Sequence, residues 1–458
     1  MKALLAISAL SVLAACAQTG QVQRLAAGPE AAPIAVFRPG APRPLPASRA
    51  NTDMSRDFIE LGFAMESGRP IAQFSRFDGP VRVVTRGAPP AGSLPDLERL
   101  LTRLRAEAGI DIARVAQPAA DDNVITVEFL PRRQMRAIVP TAACFVVPNI
   151  ASWSEFVANR RSPVIDWTQV VQRTRAAVFV PADTTPQEVR DCLHEEIGQA
   201  LGPLNDLFQL SDSIFNDDNF QTTLTGFDML LLRVWNSPEL QPGMTRDQVG
   251  ARLPTLFNRF NPSGRRGTAT TSDLTPRAWR EAVEQALASS GGVTNRRAGA
   301  ARALVIAQEQ GWTDTRLALS LMLRARLAPR DQGDAALDAL LTAAEIYRNT
   351  AGGEVHAAHI DMQLAVQALA SGQPEMVLAL TDRALPIAER TENAAFQASL
   401  GFLRAEALTL LGRDDEAERL RLDSLPAARY GFGSEAAARA RMDEIARIGS
   451  AARQIARL

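Results

Sequence analysis

The segment 192–206 places several chemically versatile side chains at helical spacing. Four of its polar residues lie three or four positions apart, so we expect them on one face of a helix: Cys192, Glu195, Glu196 and Gln199. Asn205 follows shortly after Gly202, a residue type that commonly ends helices. Carboxylate and amide oxygens can bind a metal ion, and a carboxylate beside a metal-bound water can act as a general base.

The same spacing resembles the active helix of the zincins, a class of zinc proteases with the motif H-E-x-x-H, and of the metzincins, which add a glycine turn and a third histidine. In that alignment Glu195 takes the place of the first histidine, Gln199 of the second and Asn205 of the third. Glu196 takes the place of the general base, or is an ordinary surface carboxylate. The resemblance implies a zincin-like fold with degenerate metal ligands. Because amides are weak neutral ligands, we expect no cofactor, with zinc or calcium as the alternatives.

The histidines provide no conventional metal site around this helix. A motif beginning at His194 would require a ligand at Gly198, which has no side chain. The other two of the three histidines, His356 and His359, lie three apart on a predicted helix far downstream. They could share a metal ion or lie on a solvated helix face.

An acidic group follows the candidate helix. It could bind a hard cation such as calcium, or form a solvated acidic loop. Its members are Asp206, Asp212, Asp217 and Asp218.

The N-terminus has the pattern of a lipoprotein signal peptide. Lys2 precedes the apolar run 3–12, and Leu13-Ala14-Ala15-Cys16 resembles the lipobox of bacterial lipoproteins. The resemblance implies cleavage before Cys16 and acylation of that residue, whereas the alternative is an ordinary apolar N-terminus. Because Ala17 is not the aspartate that favours inner-membrane retention, we expect an outer-membrane anchor facing the periplasm.

Two cysteines remain besides Cys16. In an exported chain the default for Cys144 and Cys192 is a disulfide, which would fix the candidate helix to an upstream strand. The alternative, a Cys192 nucleophile with His194 as its base, is disfavoured because residues two apart on a helix diverge.

Composition excludes several classes of function. Lys2 is the only lysine, so lysine-dependent P-loop, kinase and Schiff-base chemistry is excluded from the mature chain, and we expect no nucleotide partner. The formal net charge of -1 is spread along the chain, which leaves no basic footprint for nucleic acid.

The sequence divides into a stalk, a mixed region and a helical region. We expect a signal peptide at 1–15 and a mobile Ala- and Pro-rich stalk at 16–50. The α+β region at 51–255 has predicted helices near 55–65 and 94–108, with strands near 81–84, 124–130, 143–147 and 177–180. Thr185-Pro186 is a typical N-cap and first helical residue for the candidate helix.

Further motifs in this region carry a second resemblance. Ser213-Ile214-Phe215-Asn216 occupies the place of the metzincin Met-turn, with Phe215 in place of the methionine, and 224–228 resembles the start of the closing helix. Together with the C-x-x-E-E-x-x-Q-A-L-G-x-x-N-D core, these segments resemble a bacterial family known as domain of unknown function 2927, which is grouped with zincin-like folds. The resemblance covers residues 51–255 and implies a fold without an established chemistry.

The C-terminal region repeats. After a predicted linker at 256–273, a shift of 40 residues aligns pairs of identical residues within 274–458. Gly372 and Pro386, for example, fall on Gly412 and Pro426. Two helices joined at a glycine form each unit, and the units resemble tetratricopeptide repeats, whose grooves commonly bind proteins or peptides. A rigid spacer is the alternative.

We therefore expect an α+β, zincin-like domain followed by an all-α, tetratricopeptide-like solenoid. The leading hypothesis is a membrane-anchored periplasmic lipoprotein with an inactive zincin-like domain and a repeat domain that binds an envelope protein or peptide. The alternative is a cell-envelope metalloprotease with Glu196 as general base. A third hypothesis is a degenerate cleft that holds an extended peptide against its edge strand without cleaving it.

Overall fold

The computed structural model describes residues 37, 47, 49–216, 218, 220–268, 275–288 and 291–455. Two compact units result: an α+β unit, Ala41–Ser272, and a helical unit, Asp273–Leu458 together with Met1–Gly40. The predicted signal peptide and Cys16 lie outside the described residues. Among the helices that are described, none combines the length and the apolar character that a membrane span requires.

A mixed sheet forms the centre of the α+β unit. Its five described strands are β1 (Val81–Gly87), β2 (Ile112–Arg114), β3 (Asn123–Leu130), β4 (Phe145–Pro148) and β5 (Arg175–Pro181). They lie in the order β2-β1-β3-β5-β4, and β4 alone of these runs antiparallel to its neighbour. Strands β3 and β5 are largely buried, as expected for parallel strands covered on both faces. The edge strand β4 lies beside β5, whose chain continues into the candidate helix.

Helices and short helical turns cover the sheet. The described helices of this unit are α1 (Asn51–Gly62), α2 (Ser93–Arg103), α3 (Arg132–Arg136), α4 (Trp153–Asn159), α5 (Pro186–Leu201), α6 (Gly226–Trp235), α7 (Arg246–Gly250) and α8 (Leu253–Phe260). A π-helical turn, Leu104–Ala108, continues α2. The ring of Trp235 lies 4.8 Å from both Phe58 and Phe74 and joins α6 to α1 in the core.

The α+β unit extends beyond the predicted region, 51–255, at both ends. Arg49, within the predicted stalk, forms ion pairs with Asp57 and Asp212. In the predicted linker, Asn261 Nδ2 donates to Asn51 Oδ1 at 3.0 Å. These buried polar contacts keep short terminal segments ordered although they have little hydrophobic periodicity.

The helical unit consists of antiparallel helix pairs. Its described helices are α9 (Arg277–Leu287), α10 (Gly292–Glu309), α11 (Thr315–Arg326), α12 (Gly333–Arg348), α13 (Glu354–Ala370), α14 (Pro374–Arg390), α15 (Ala394–Leu410), α16 (Asp414–Phe432) and α17 (Glu435–Ile455). Gly372 and Gly412 join the pairs α13–α14 and α15–α16, and both have positive φ, as expected for glycines between helices. The predicted fold class, α+β followed by all-α, is confirmed.

Two observations refine the expectations for this region. Phe37, within the predicted stalk, packs its ring 5.3 Å from that of Tyr430 on α16. His356 is fully buried and stacks on Tyr347 at 4.5 Å, while His359 stacks on Phe396 at 3.9 Å. The alternative of a solvated helix face is therefore wrong for His356, whereas His359 is half-buried.

Helices α15 and α16 approach closely at Gly401. A Cβ atom at this position would lie 2.2 Å from Ser424 Oγ and 3.2 Å from Ser424 Cβ. Since real Cβ atoms do not approach heavy atoms so closely, the absence of a side chain at Gly401 sets the spacing of this helix pair.

We predict that Gly401→Ala destabilises the helical unit by about 1–3 kcal/mol through overpacking. The double variant Gly401→Ala/Ser424→Ala should recover part of the loss, because it removes the hydroxyl that is nearest to the added methyl group. Urea unfolding followed by far-UV circular dichroism measures both effects, with Ser424→Ala as the single-variant control. Equal stability of Gly401→Ala and the unchanged chain would contradict the close approach.

Candidate functional site

Helix α5 carries the candidate residues and begins as predicted. Thr185 Oγ1 accepts a hydrogen bond from Glu188 N at 3.1 Å, and Pro186 occupies the first turn. The helix packs against β4, β5 and α2. Most of its residues are buried, so its polar side chains face protein and leave little of their surface to solvent.

The Cys144 and Cys192 sulfurs lie at disulfide distance, and their Cα atoms are 5.9 Å apart. This is the predicted pair, and it fixes α5 to the residue that precedes β4. A disulfide sulfur is neither a nucleophile nor a thiolate ligand. Cys192 is therefore not available as a nucleophile while the bond is intact.

Glu195 and Glu196 lie next to this disulfide. One side-chain oxygen of each and the Cys144 sulfur all lie within 4.8 Å of one another. Glu196 is 4 % exposed, and its Oε2 has no hydrogen-bond partner in the described residues. The expectation of a surface carboxylate at this position was therefore wrong. Burial raises the pKa of Glu196 well above its usual value, and the carboxylates of Glu195 and Glu66 raise it further.

Glu66 is a member of the site that the sequence motif does not contain. It lies in the connection between α1 and β1, where its backbone N donates to Leu204 O at 3.3 Å. Its Oε1 accepts a hydrogen bond from Gln199 Nε2 at 3.2 Å. A single glutamate in an irregular segment has no periodicity or spacing that relates it to α5, so no sequence signal identifies it.

The amides at the remaining ligand positions are engaged through their NH2 groups. Gln199 donates to Glu66, and Asn205 Nδ2 donates to Glu60 O at 3.0 Å. Asn205 Oδ1 is buried without a hydrogen-bond partner in the described residues. A zinc site requires nitrogen or sulfur ligands or several anionic oxygens, and this set offers one carboxylate and two amides. Glu195, Gln199 and Asn205 do not fit zinc.

His194 faces away from the carboxylates and has a structural role. Its Nδ1 accepts a hydrogen bond from Leu224 N at 3.1 Å. Burial lowers the pKa of His194 well below 6.5, and nearby arginines lower it further, so the ring is neutral and serves as an acceptor. The hydrogen bond joins α5 to the start of the segment that leads into α6.

The turn at 213–216 lies beneath α5. A Cβ atom at Gly198 would lie 3.0 Å from Phe215 Cζ, so the glycine makes room for this ring. Asp228 Oδ1 accepts from Ser213 Oγ at 2.5 Å, and its Oδ2 accepts from Ile214 N at 3.0 Å. Burial raises the pKa of Asp228 to about 6. The carboxylate therefore holds the turn in place below the helix.

The acidic group after α5 is not a solvated loop. Asp212 pairs with Arg49, and Asp218 accepts from Asn216 Nδ2 at 2.9 Å. Asp206 is 7 % exposed. Asp217, the fourth member, lies outside the described residues. Asp212 and Asp218 have protein partners, which weakens the calcium alternative for this group.

Arg173 caps the C-terminus of α5 from the loop before β5. Its Nη1 donates to Gln199 O at 2.9 Å and to Ala200 O at 2.7 Å, and its Nη2 donates to Gly202 O at 2.7 Å. Its Nε donates to Ser75 Oγ at 3.1 Å. Carbonyls at the end of a helix have no partners within it, and a cation there also interacts favourably with the helix dipole.

Two indole rings enclose the same guanidinium. Its central carbon lies 4.9 Å from the ring centroid of Trp167 and 5.8 Å from that of Trp235. Burial lowers the pKa of Arg173 to about 9, which leaves it cationic at neutral pH. Arg173 is 2 % exposed, so its charge interacts with the end of α5 and not with solvent.

Comparison with known proteins identifies the domain without assigning it a reaction. Residues 51–255 match the model of the family described as "Protein of unknown function (DUF2927)". The match confirms the predicted resemblance of residues 51–255 to this family. No curated protein and no solved structure matches the chain.

We predict that Arg173→Leu lowers the free energy of unfolding of the α+β unit by about 3–5 kcal/mol, because several buried acceptors lose their donor. Arg173→Lys should recover only part of this, since one ammonium group cannot reach all of these oxygens. Chemical denaturation followed by tryptophan fluorescence provides the measurement. If Arg173→Leu unfolds like the unchanged chain, Arg173 does not cap α5 in solution.

We also predict that Glu196→Gln changes the pH dependence of stability. Because the folded-state pKa of Glu196 is raised above 4.5, the folded chain holds a proton that the unfolded chain has lost. The stability contributed by this proton is fully present below about pH 4.5. It is lost as pH rises towards the folded pKa, by at most about 1.4 kcal/mol per pH unit. Glu196→Gln should therefore gain stability relative to the unchanged chain as pH rises above about 4.5.

Denaturant unfolding across this pH range, in the presence of a chelator, measures the difference. Glu98→Gln is the control, because Glu98 forms an ion pair with Arg114 on the surface and both side chains are at least one-third exposed. A constant stability difference between Glu196→Gln and the unchanged chain would show that this carboxyl titrates normally.

Proposed function

We propose that the protein is a membrane-anchored lipoprotein of the periplasm, with a non-catalytic zincin-like domain and a helical unit that binds an envelope protein or peptide. One observation carries the non-catalytic part. Two of the three ligand positions hold neutral amides, Gln199 and Asn205, which are weak ligands for zinc and whose NH2 groups are hydrogen-bonded within the protein. These positions act as structural contacts in the proposed function.

The arrangement around α5 supports the zincin-like assignment. The helix ends at Gly202, the position of the turn glycine, where an added Cβ would lie 2.6 Å from Leu232 Cδ2. Phe215 packs under Gly198, in the position expected for a turn beneath the active helix. The antiparallel edge strand β4 lies beside α5, and the disulfide joins α5 to the residue preceding that strand.

The edge strand weakens the third hypothesis, in which a peptide pairs with it. Asn149 N donates to Arg175 O at 2.8 Å, so these two residues form a hydrogen-bonded pair at the end of the β4–β5 ladder. Because hydrogen-bonded and non-hydrogen-bonded pairs alternate along antiparallel strands, the backbone polar groups of Val146 and Pro148 point away from β5. Val146 O accepts from Trp167 Nε1 at 3.4 Å, and proline has no N–H to offer. A peptide would find few free backbone groups along this edge.

Membrane anchoring and location rest on the sequence. The apolar run and the lipobox before Cys16 support export, lipidation and a periplasm-facing position. A disulfide pair within the α+β unit agrees with an oxidising compartment. Ala17 favours the outer membrane within this proposal.

Exposed apolar side chains support partner binding by the helical unit. Leu337 and Leu341 lie one turn apart on α12 and are 36 % and 48 % exposed. Val305 on α10 and Met376 on α14 are 49 % and 53 % exposed. Neighbouring exposed apolar side chains are typical of surfaces that bind other proteins, and Leu337 and Leu341 form such a pair on α12.

The metalloprotease alternative retains one supporting feature. Glu196 lies at the general-base position, within 4.8 Å of a Glu195 oxygen. A base needs a metal-bound water to deprotonate, and the amides at the other ligand positions do not supply a zinc site. Incubation with unfolded envelope proteins distinguishes the two functions, because cleavage that is lost in Glu196→Gln would establish the protease.

We predict that mild crosslinking in intact cells captures a partner with the unchanged chain and loses at least 10-fold of it with Leu337→Glu/Leu341→Glu, because charge cannot be buried cheaply in an apolar contact.

Cys16→Ser should move the chain from the membrane fraction to the soluble fraction. Quantitative mass spectrometry of crosslinked, fractionated cells measures both.

Leu422→Glu serves as the matched control for the crosslinking experiment, because it makes the same leucine-to-glutamate change at a 56 % exposed position on α16, away from α12. Equal capture by the Leu337→Glu/Leu341→Glu variant would remove α12 from the binding surface. Absence of any specific partner would contradict the proposed binding role. Membrane association unaffected by Cys16→Ser would contradict lipid anchoring.

A further inference from the structure

The strongest feature that the proposed function does not use is a group of carboxylates at the face of α5. We call Glu66, Glu195 and Glu196 the carboxylate cluster. Side-chain oxygens of Glu195 and Glu196 lie within 4.8 Å of each other. Glu66 lies beside the same helix, because its Oε1 accepts a hydrogen bond from Gln199 Nε2 at 3.2 Å, one turn after Glu195 and Glu196. The cluster joins α5 to the α1–β1 connection.

A second observation points to a ligand within this cluster. Glu196 is 96 % buried, since its exposed fraction is 4 %. Its Oε2 has no hydrogen-bond partner in the part of the chain that the structure describes. A buried carboxylate oxygen normally accepts hydrogen bonds or contacts a cation. The charged groups that act on Glu196 are the other two carboxylates, which repel its charge.

The chemistry of the cluster selects the class of cation. The anionic ligands are all oxygens, and the neighbouring Cys144 sulfur is tied to Cys192. Hard cations prefer such oxygens, whereas zinc prefers nitrogen and sulfur. Calcium binds oxygens at 2.3–2.6 Å, so two ligands on opposite sides of the ion are about 4.6–5.2 Å apart. The Glu195 and Glu196 oxygens lie within 4.8 Å of each other, which is close enough for both to contact one calcium ion.

Magnesium fits less well because of its rigid geometry. It demands a nearly ideal octahedron with bonds of 2.0–2.1 Å. Long glutamate side chains from two separate segments offer variable geometry, which calcium tolerates. Glu195 is half-buried and Glu66 is exposed, so water can complete the coordination.

We propose that the carboxylate cluster of Glu66, Glu195 and Glu196 binds a calcium ion, which bridges α5 to the α1–β1 connection. The ion neutralises the buried Glu196 and orders Glu66 without taking part in hydrolysis. This site differs from the zincin ligand set, because it uses Glu66 and Glu196 and does not use Gln199 or Asn205. It is independent of whether the helical unit binds a partner.

The test uses the chain from Ala17 onward, purified with its disulfide intact and first stripped with a calcium chelator. Thermal unfolding is then measured in buffers of defined free calcium. We expect the melting temperature of the α+β unit to rise by about 3–5 °C for each tenfold increase in calcium above the dissociation constant. Isothermal titration with calcium should give one site per chain.

Two variants test the named residues. Glu196→Gln should lose the calcium-dependent rise, and Glu66→Gln should reduce calcium affinity at least 10-fold, because each removes an anionic ligand. Glu98→Gln, on the surface of the same unit, should respond like the unchanged chain. Stability of each variant in chelator shows that it is folded before calcium is added.

Several results would overturn the proposal. One is a melting temperature that does not respond to calcium, because a proton on Glu196 and not a cation then neutralises the cluster. A calcium response that survives Glu196→Gln places the ion elsewhere. Stoichiometric zinc retained through purification, with no calcium response, replaces this site with a zinc site.

Discussion

The buried guanidinium of Arg173 fixes the end of α5, and every side chain of the candidate site depends on the position of that helix. A helix end inside a protein leaves carbonyl oxygens without water, and Arg173 supplies N–H donors to three of them. Trp167 and Trp235 shield its charge. Because Trp235 also packs on Phe58, the same contact joins α5 to α1 and α6.

The rest of α5 is fixed by different chemistry on each side. The disulfide from Cys192 holds the carboxylate-bearing face next to β4, and His194 accepts a hydrogen bond on another side. Phe215 fills the space at Gly198. With covalent, polar and apolar contacts around one helix, α5 has little freedom to rotate, so Glu196 is held in a buried position beside Glu195. A helix that was free to rotate could turn Glu196 towards water.

Sequence reasoning succeeded where the determining interactions are local or periodic. Thr185 and Pro186 indicate the start of α5 through hydrogen bonding and fixed φ, and the repeated glycines Gly372 and Gly412 mark the joints between helices. The pairing of Cys144 with Cys192 could be predicted because few cysteines were available. Sequence reasoning did not identify Glu66 and Arg173, because their partners on α5 are distant in sequence and follow no pattern.

The environment of each polar residue was also beyond the sequence. The sequence around His356 and Glu196 is compatible with exposed positions on a helix, yet both side chains are buried. The elements that cover each side chain belong to the same unit but lie elsewhere in its sequence. This difference matters most at Glu196. On the surface its charge would cost nothing, whereas in the interior beside two carboxylates it requires a proton or a cation. The site on α5 therefore has an excess of negative charge, and its chemistry follows from how that charge is neutralised.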